Sequence, residues 1–173
     1  MPVVIICGIP GMGKTTYVRN HIESSSREAI AYTTKPQDYD DLRMKEIYGP
    51  GRFNDFVRDA NHMANTLMVI DEGEIVIPED VKAKYSAKGY KENPLLMLFA
   101  NCREYKNFIY LILHDLRDMR PWLFKYTDFL IRFRTRDQFN VQDNRFDSFP
   151  VLKKNLTNHR FIAPHKYMTV PFC

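Results

Sequence analysis

The chain has 173 residues, 45% hydrophobic and 27% charged, a size and balance that suit one globular domain able to bury a sizeable core. No apolar run approaches the ~20 residues that span a bilayer, and Cys7, Cys102 and Cys173 are too scattered for a disulfide framework or a zinc site. The net charge of +4 is uneven: residues 1–100 hold 12 Lys+Arg against 14 Asp+Glu, and residues 101–173 hold 13 against 7.

The first apolar run, Val3–Cys7, reads as a buried strand. It enters Gly8-Ile9-Pro10-Gly11-Met12-Gly13-Lys14-Thr15, a full match to the phosphate-binding pattern G-x-x-x-x-G-K-[ST], and Thr16–Ile22 follows with a helical pattern. Strand, loop and helix in that order are the context the motif requires. Its glycines let backbone N–H groups turn inward around a phosphate, and the helix start adds its positive dipole. Gly8 to Thr16 are therefore the expected ATP-binding residues. Lys14 supplies a charge for the β- and γ-phosphates, and the Thr15 hydroxyl is placed to hold Mg²⁺. A secretory leader is not expected, because the loop begins where one would have to end. With three unpaired cysteines, this predicts a cytoplasmic protein.

A second strand is expected at Ala29–Thr33, then a charged Gly-Pro-Gly stretch and a helix over Arg52–Met63. The third strand, Leu67–Ile70, runs into Asp71-Glu72-Gly73-Glu74. Four apolar residues ending in adjacent carboxylates form a Walker B strand. Asp71 would hold Mg²⁺ through water, and Glu72 would polarise the water attacking the γ-phosphate. A glutamate there points to hydrolysis, since a kinase takes its nucleophile from a second substrate. Glu74 reads as an ordinary solvated carboxylate. In the loop from Glu79 to Glu92, Lys82, Lys84, Lys88 and Lys91 alternate with Tyr85 and Tyr90.

Asn93-Pro94 opens a helix carried to about Tyr105 by Leu95, Leu98, Phe99 and Cys102. The fourth strand, Phe108–Leu113, ends at His114. In such sheets this strand lies between the two Walker strands, so His114 is either a γ-phosphate sensor, its neutral imidazole bonding the attacking water or a γ-oxygen, or a cap for the following turn. Phe129–Phe133 is the fifth strand. Beyond Thr135 the pattern weakens, leaving a short hairpin over Arg160–Val170. The domain assignment is a core over 1–136 and a basic extension over 137–173 packed on it. That basic half either meets a polyanion or is a solvated face.

The Walker pair is followed by a helix ending Asn101-Cys102-Arg103-Glu104-Tyr105-Lys106, an apolar strand with a polar tip, Arg117-Asp118-Met119-Arg120-Pro121, and Phe129-Leu130-Ile131-Arg132-Phe133-Arg134. This succession resembles the HerA–FtsK superfamily of DNA-pumping ATPases, which includes viral genome-packaging motors and the Zot-like assembly proteins of filamentous phages. The resemblance covers about residues 3–136. It implies an α/β P-loop NTPase with a RecA-like core of the additional-strand type. Its mostly parallel sheet would have helices on both faces and the five expected strands in the order 5-1-4-3-2. It also implies a homo-oligomeric ring that hydrolyses ATP with Mg²⁺ and translocates double-stranded DNA, with a capsid or membrane assembly partner.

Arg103 then becomes a candidate finger reaching a neighbour's nucleotide; the alternative is an exposed arginine favoured by the helix dipole. The four lysines at 82–91 become candidate contacts to DNA phosphates, or they form a solvated loop. Many relatives carry glutamine where this chain has His114. The extra domains of the cellular members and the membrane span of the Zot-like branch are missing, which fits a compact motor of viral or plasmid origin. Two rivals stand beside this reading. One is a nucleoside-type kinase using Arg117 and Arg120 as lid arginines, although the zinc lasso of thymidine kinases is missing. The other is an assembly protein that uses ATP only as a switch.

Overall fold

All five residues of β1 (Val3–Cys7) are buried, as a strand covered on both faces must be. Their alternation divides two cores. Val3, Ile5 and Cys7 face one cluster with Phe56, Leu98 and Phe99, while Val4 and Ile6 face another with Val18, Ile22 and Tyr39. Each fully buried aliphatic side chain contributes about 1.5–3 kcal/mol, so this short strand anchors both layers. The computed structural model describes residues 2–79, 93–115, 118–133 and 168–171.

In chain order β1 is followed by α1 (Lys14–Ser24), β2 (Ala29–Tyr32), β3 (Glu46–Tyr48), α2 (Phe53–Ala60) and β4 (Leu67–Ile70). Next come the single turn α3 (Gly73–Val76), then α4 (Pro94–Ala100), β5 (Phe108–Leu113), β6 (Phe129–Arg132) and β7 (Met168–Pro171). The sheet order is β3-β2-β4-β5-β1-β6-β7. Strands β1 to β6 are parallel, and β7 pairs antiparallel with β6. Residues from α1 pack in one core and residues from α2 and α4 in the other, which covers the sheet on both faces. The fold is an α/β P-loop NTPase fold.

The five expected strands lie in the expected succession, but the sheet is wider than that order allowed. β3 extends it beyond β2, and β7 extends it beyond β6. β3 has three residues beside Gly49-Pro50-Gly51, too few to show an alternation. The helix expected to reach Tyr105 stops at Ala100. Asn93 caps its start by accepting from Leu95 and Leu96 N–H. Its end is forced because the chain must turn back into β5, and Lys106 adopts φ 56° to do so. Of the 137–173 extension and the expected hairpin, only Met168–Pro171 lies among the described residues. Among those residues no helix is long and apolar enough to cross a membrane.

Candidate nucleotide site

The carboxyl ends of β1, β4 and β5 converge on a cleft of about 290 Å³. It is lined by Pro10, Gly11, Gly13, Lys14, Thr15 and Thr16 from the loop, by Lys35 and Asp38 after β2, by Asp71 and Glu72 after β4, and by His114 after β5. Crevices at the carboxyl edge of a parallel sheet are the usual ligand sites of this architecture. Gly13 sets the loop's exit: it stands at φ 89°, ψ 17° as the N-cap of α1, a left-handed conformation costly to any residue with a Cβ. Lys14 is only 6% exposed, and its Nζ donates to the carbonyls of Gly8 and Ile9. Burial lowers its pKa, against the pull of the Asp71 carboxylate, so an anion beside it would be favoured. Gly8 and Ile9 thus serve the site through their carbonyls, and Met12 packs against the core.

Asp71 is nearly enclosed, and each of its oxygens has a donor. Oδ2 accepts from Tyr39 Oη at 2.9 Å and, more distantly, from Thr15 Oγ1 at 3.5 Å, while Oδ1 accepts from the Glu72 N–H at 3.0 Å. Desolvation raises the Asp71 pKa, partly offset by the bond from Tyr39. Tyr39 itself is fully buried, and burial beside Asp71 pushes its phenol far up, so it stays a donor. A threonine hydroxyl facing a carboxylate is a hard oxygen donor set that fits Mg²⁺. Among the described residues no cluster of three or more His, Cys, Asp or Glu side chains could hold a metal.

Glu72 sits in the left-handed region at φ 56°, ψ 47°, a strained setting for a residue with a side chain. Its carboxylate is clasped from the segment that follows β2. Thr34 Oγ1 donates to Oε2, and Lys35 Nζ lies 2.7 Å from Oε1. Burial works against the charge, but the bonds from Lys35 and Thr34 win, and the pKa lies below the ordinary glutamate value. Gly73 follows because nothing larger fits: a Cβ there would overlap Leu111 Cδ1.

Glu74 departs from the solvated carboxylate expected of it. Its side chain is 17% exposed, and Oε1 bonds His114 Nδ1. One turn of helix after a tight glycine carries it back over the sheet's edge. Glu74, Thr34, Lys35, Asp38 and Tyr39 are the site residues that sequence reasoning missed. The signal for four of them was the strand order itself: placing the second strand beside the Walker B strand puts the residues after it next to Asp71 and Glu72.

Arg103 lies at the other edge of the sheet. It is 73% exposed and pairs with Asp128, whose other oxygen accepts from the Val3 N–H at the start of β1. The five residues of β1, about 16 Å of strand, separate it from the phosphate loop. Any part it plays in such a site is therefore in another copy's. Arg120 binds the carbonyls of Glu74 and Ile77 and the Glu79 carboxylate, which occupies it in bracing α3. Lys82, Lys84, Lys88, Lys91 and Arg117 lie outside the described residues.

No family model matches this sequence, and no curated protein matches it. Solved structures do match. The DNA-packaging ATPase B204 from Sulfolobus Turreted Icosahedral Virus superposes with a TM-score of 0.71 at 12% identity, over 98% of this chain and 92% of that one. The genome packaging NTPase B204 from Sulfolobus turreted icosahedral virus 2, in complex with ATP-gammaS, gives 0.66 at 13% identity over the same 98% and 92%. For the N-terminal domain of zonular occludens toxin from Neisseria meningitidis the TM-score falls to 0.48 at 10% identity, over 79% and 78%, too low to bear on this chain. At such identities the likeness is one of fold. At that level it agrees with the HerA–FtsK resemblance read from the sequence.

Proposed function

We propose that the chain is an Mg²⁺-dependent ATPase that moves double-stranded DNA as a homo-oligomeric ring, in viral or plasmid genome packaging or virion assembly. The observation that carries the ATPase reading is the convergence of Lys14, Thr15, Asp71, Glu72 and His114 on one cleft. The packaging reading draws on the fold shared with B204 and on the sequence resemblance; the basic balance of residues 101–173 supports a polyanionic partner.

Lys14 exchanges its loop carbonyls for phosphate oxygens and offsets the charge gathering on the β–γ bridging oxygen. Thr15 and Asp71 would hold Mg²⁺, which neutralises phosphate charge when bound. Glu72 takes a proton from water as the water oxygen bonds to the γ-phosphorus. The bond from that phosphorus to the bridging oxygen breaks, leaving ADP and inorganic phosphate. Thr34 and Lys35 hold the Glu72 carboxylate in its charged, proton-accepting form.

Titration calorimetry and phosphate release test this together. Lys14→Ala should abolish tight ATP binding, whereas Glu72→Gln should bind ATP and fail to cleave it. Wild-type turnover in Glu72→Gln would refute the hydrolysis mechanism.

A further inference from the structure

Glu74 and His114 form a carboxylate–imidazole pair at the rim of the cleft, and the chemistry of the contact fixes more than a position. A carboxylate oxygen accepts hydrogen bonds and has none to give. The ring nitrogen facing Glu74 Oε1 is His114 Nδ1, so the proton of the neutral imidazole belongs there. The remaining nitrogen, Nε2, then carries a lone pair.

Three further observations make this pair part of the site. His114 lines the same cleft as Lys14, Asp71 and Glu72. Strand β5 lies between β1 and β4, which sets His114 between the phosphate loop and Glu72. Glu74 is held there at a cost: its Oε2 is buried and has no hydrogen-bond partner among the described residues, although its charge reaches the Lys14 ammonium. Arg120, donating to the Glu74 carbonyl at 3.4 Å and to the Ile77 carbonyl at 3.3 Å, anchors the turn that presents this carboxylate.

We infer that Glu74 is a positioning residue that holds His114 in its Nδ1–H tautomer, so that Nε2 accepts a hydrogen bond from the water attacking the γ-phosphate. This rests on the ATPase reading above and, through Glu74, selects the attacking water over a γ-oxygen as the partner of His114. A neutral imidazole whose proton is committed to Glu74 cannot donate to a γ-phosphate oxygen, as a sensor would. It can hold water. An attacking water aims a lone pair at phosphorus and must place both hydrogens elsewhere. Glu72 receives the one that transfers, and His114 Nε2 holds the other without taking it. The two acceptors belong to adjacent strands, β4 and β5, and together they fix the water's orientation.

The test is the tautomer itself. In the full-length chain labelled with ¹⁵N-histidine, two-bond ¹H–¹⁵N spectra at about pH 8 report which ring nitrogen is protonated. The His114 signals are assigned by their loss in His114→Asn. Wild type should show His114 protonated at Nδ1. Glu74→Ala should release the ring to the Nε2–H form and cut turnover by about tenfold or more, with ATP affinity within about twofold. Glu74→Gln, whose side-chain carbonyl still accepts, should keep the tautomer and most of the turnover.

An Nε2–H tautomer in wild type would overturn the inference, and that measurement stands even if Glu74→Ala fails to fold. So would an unchanged tautomer and turnover in Glu74→Ala, or an equal loss of turnover in Glu74→Gln. Absence of phosphate release from the wild-type chain would refute the ATPase reading instead, leaving the tautomer to be judged separately.

Discussion

Replacing Gly73 with alanine adds one methyl group at the point where the Walker B carboxylates meet the core. The new Cβ would overlap Leu111 Cδ1 and come within 3.3 Å of Leu111 Cγ and Leu113 Cδ2. Leu111 is 0% exposed and Leu113 1%, so neither can swing into solvent to make room. Overpacking of this kind costs about 1–3 kcal/mol. Restricting the unfolded chain returns roughly 0.4–1 kcal/mol. Taking the middle of both ranges, the net loss is about 1.3 kcal/mol, which for a chain of this size lowers Tm by roughly 3–5 °C. Calorimetric scans of Gly73→Ala against wild type measure it. Gly49→Ala is the control, since its Cβ would meet Pro36 Cγ at an ordinary 3.6 Å. Adding Leu111→Val should recover part of the loss, because the two sites share one space. Because α3 starts from Glu72, Gly73→Ala should also weaken Mg²⁺-dependent ATP binding. An unchanged Tm, or full additivity with Leu111→Val, would refute the close-packing argument.

His21 accepts from or donates to Tyr110 Oη at 2.6 Å and packs edge-on against Phe108, and burial lowers its pKa below the usual 6.5. The unfolded chain therefore protonates first as pH falls, so this stability is complete above about pH 6.5 and is lost on descent through the folded pKa. The Tm should drop between neutral pH and pH 5 more steeply in wild type than in His21→Gln; equal slopes would exclude His21 as the cause. Arg103→Ala should lower Tm by only a few degrees, because Arg103 is itself 73% exposed and Asp128, largely buried, keeps its bond from the Val3 N–H. If it acts in trans, the same variant should cut turnover by about 10³–10⁵ while ATP affinity holds, and doping it into wild type should inhibit beyond dilution. Full activity in Arg103→Ala would remove it from catalysis. Serine at Lys82, Lys84, Lys88 and Lys91 should flatten the salt dependence of duplex binding and lower DNA-stimulated, not basal, hydrolysis; an unchanged slope would show that those lysines touch no phosphate.

The parts of this fold that were legible in the sequence are those whose chemistry is local. The phosphate loop declares itself because glycines, lysine and threonine must stand at fixed spacing for one backbone turn to work. β1, β4 and β5 declare themselves because strands covered on both faces are uninterrupted apolar runs. β3 was illegible because three residues carry no period, and the early end of α4 is set by the turn into β5, which Leu98, Phe99 and Cys102 do not reveal. The missed site residues share one cause. Thr34, Lys35 and Tyr39 acquire their roles only when β2 lies beside β4, a contact made across more than thirty residues of chain. Glu74 looked solvated because nothing in its own segment shows that α3 folds it back towards His114, 40 positions onward.

The placement of Arg103 at the amino edge of the sheet, with the cleft at the carboxyl edge, limits the assemblies in which both can take part. Two copies related by a two-fold axis across the strands could each lend Arg103 to the other's cleft, but that exchange is reciprocal and closes at two copies. Sharing the site among more than two copies in succession requires carboxyl edge against amino edge in a head-to-tail contact, in which every copy stands in the same relation to the next. Such a contact either closes into a ring or runs on as a filament, and in both cases the two faces of the assembly are chemically different. A substrate threaded through it would meet one face first. Direction would then be inherent in the subunit contact, before any nucleotide is cleaved.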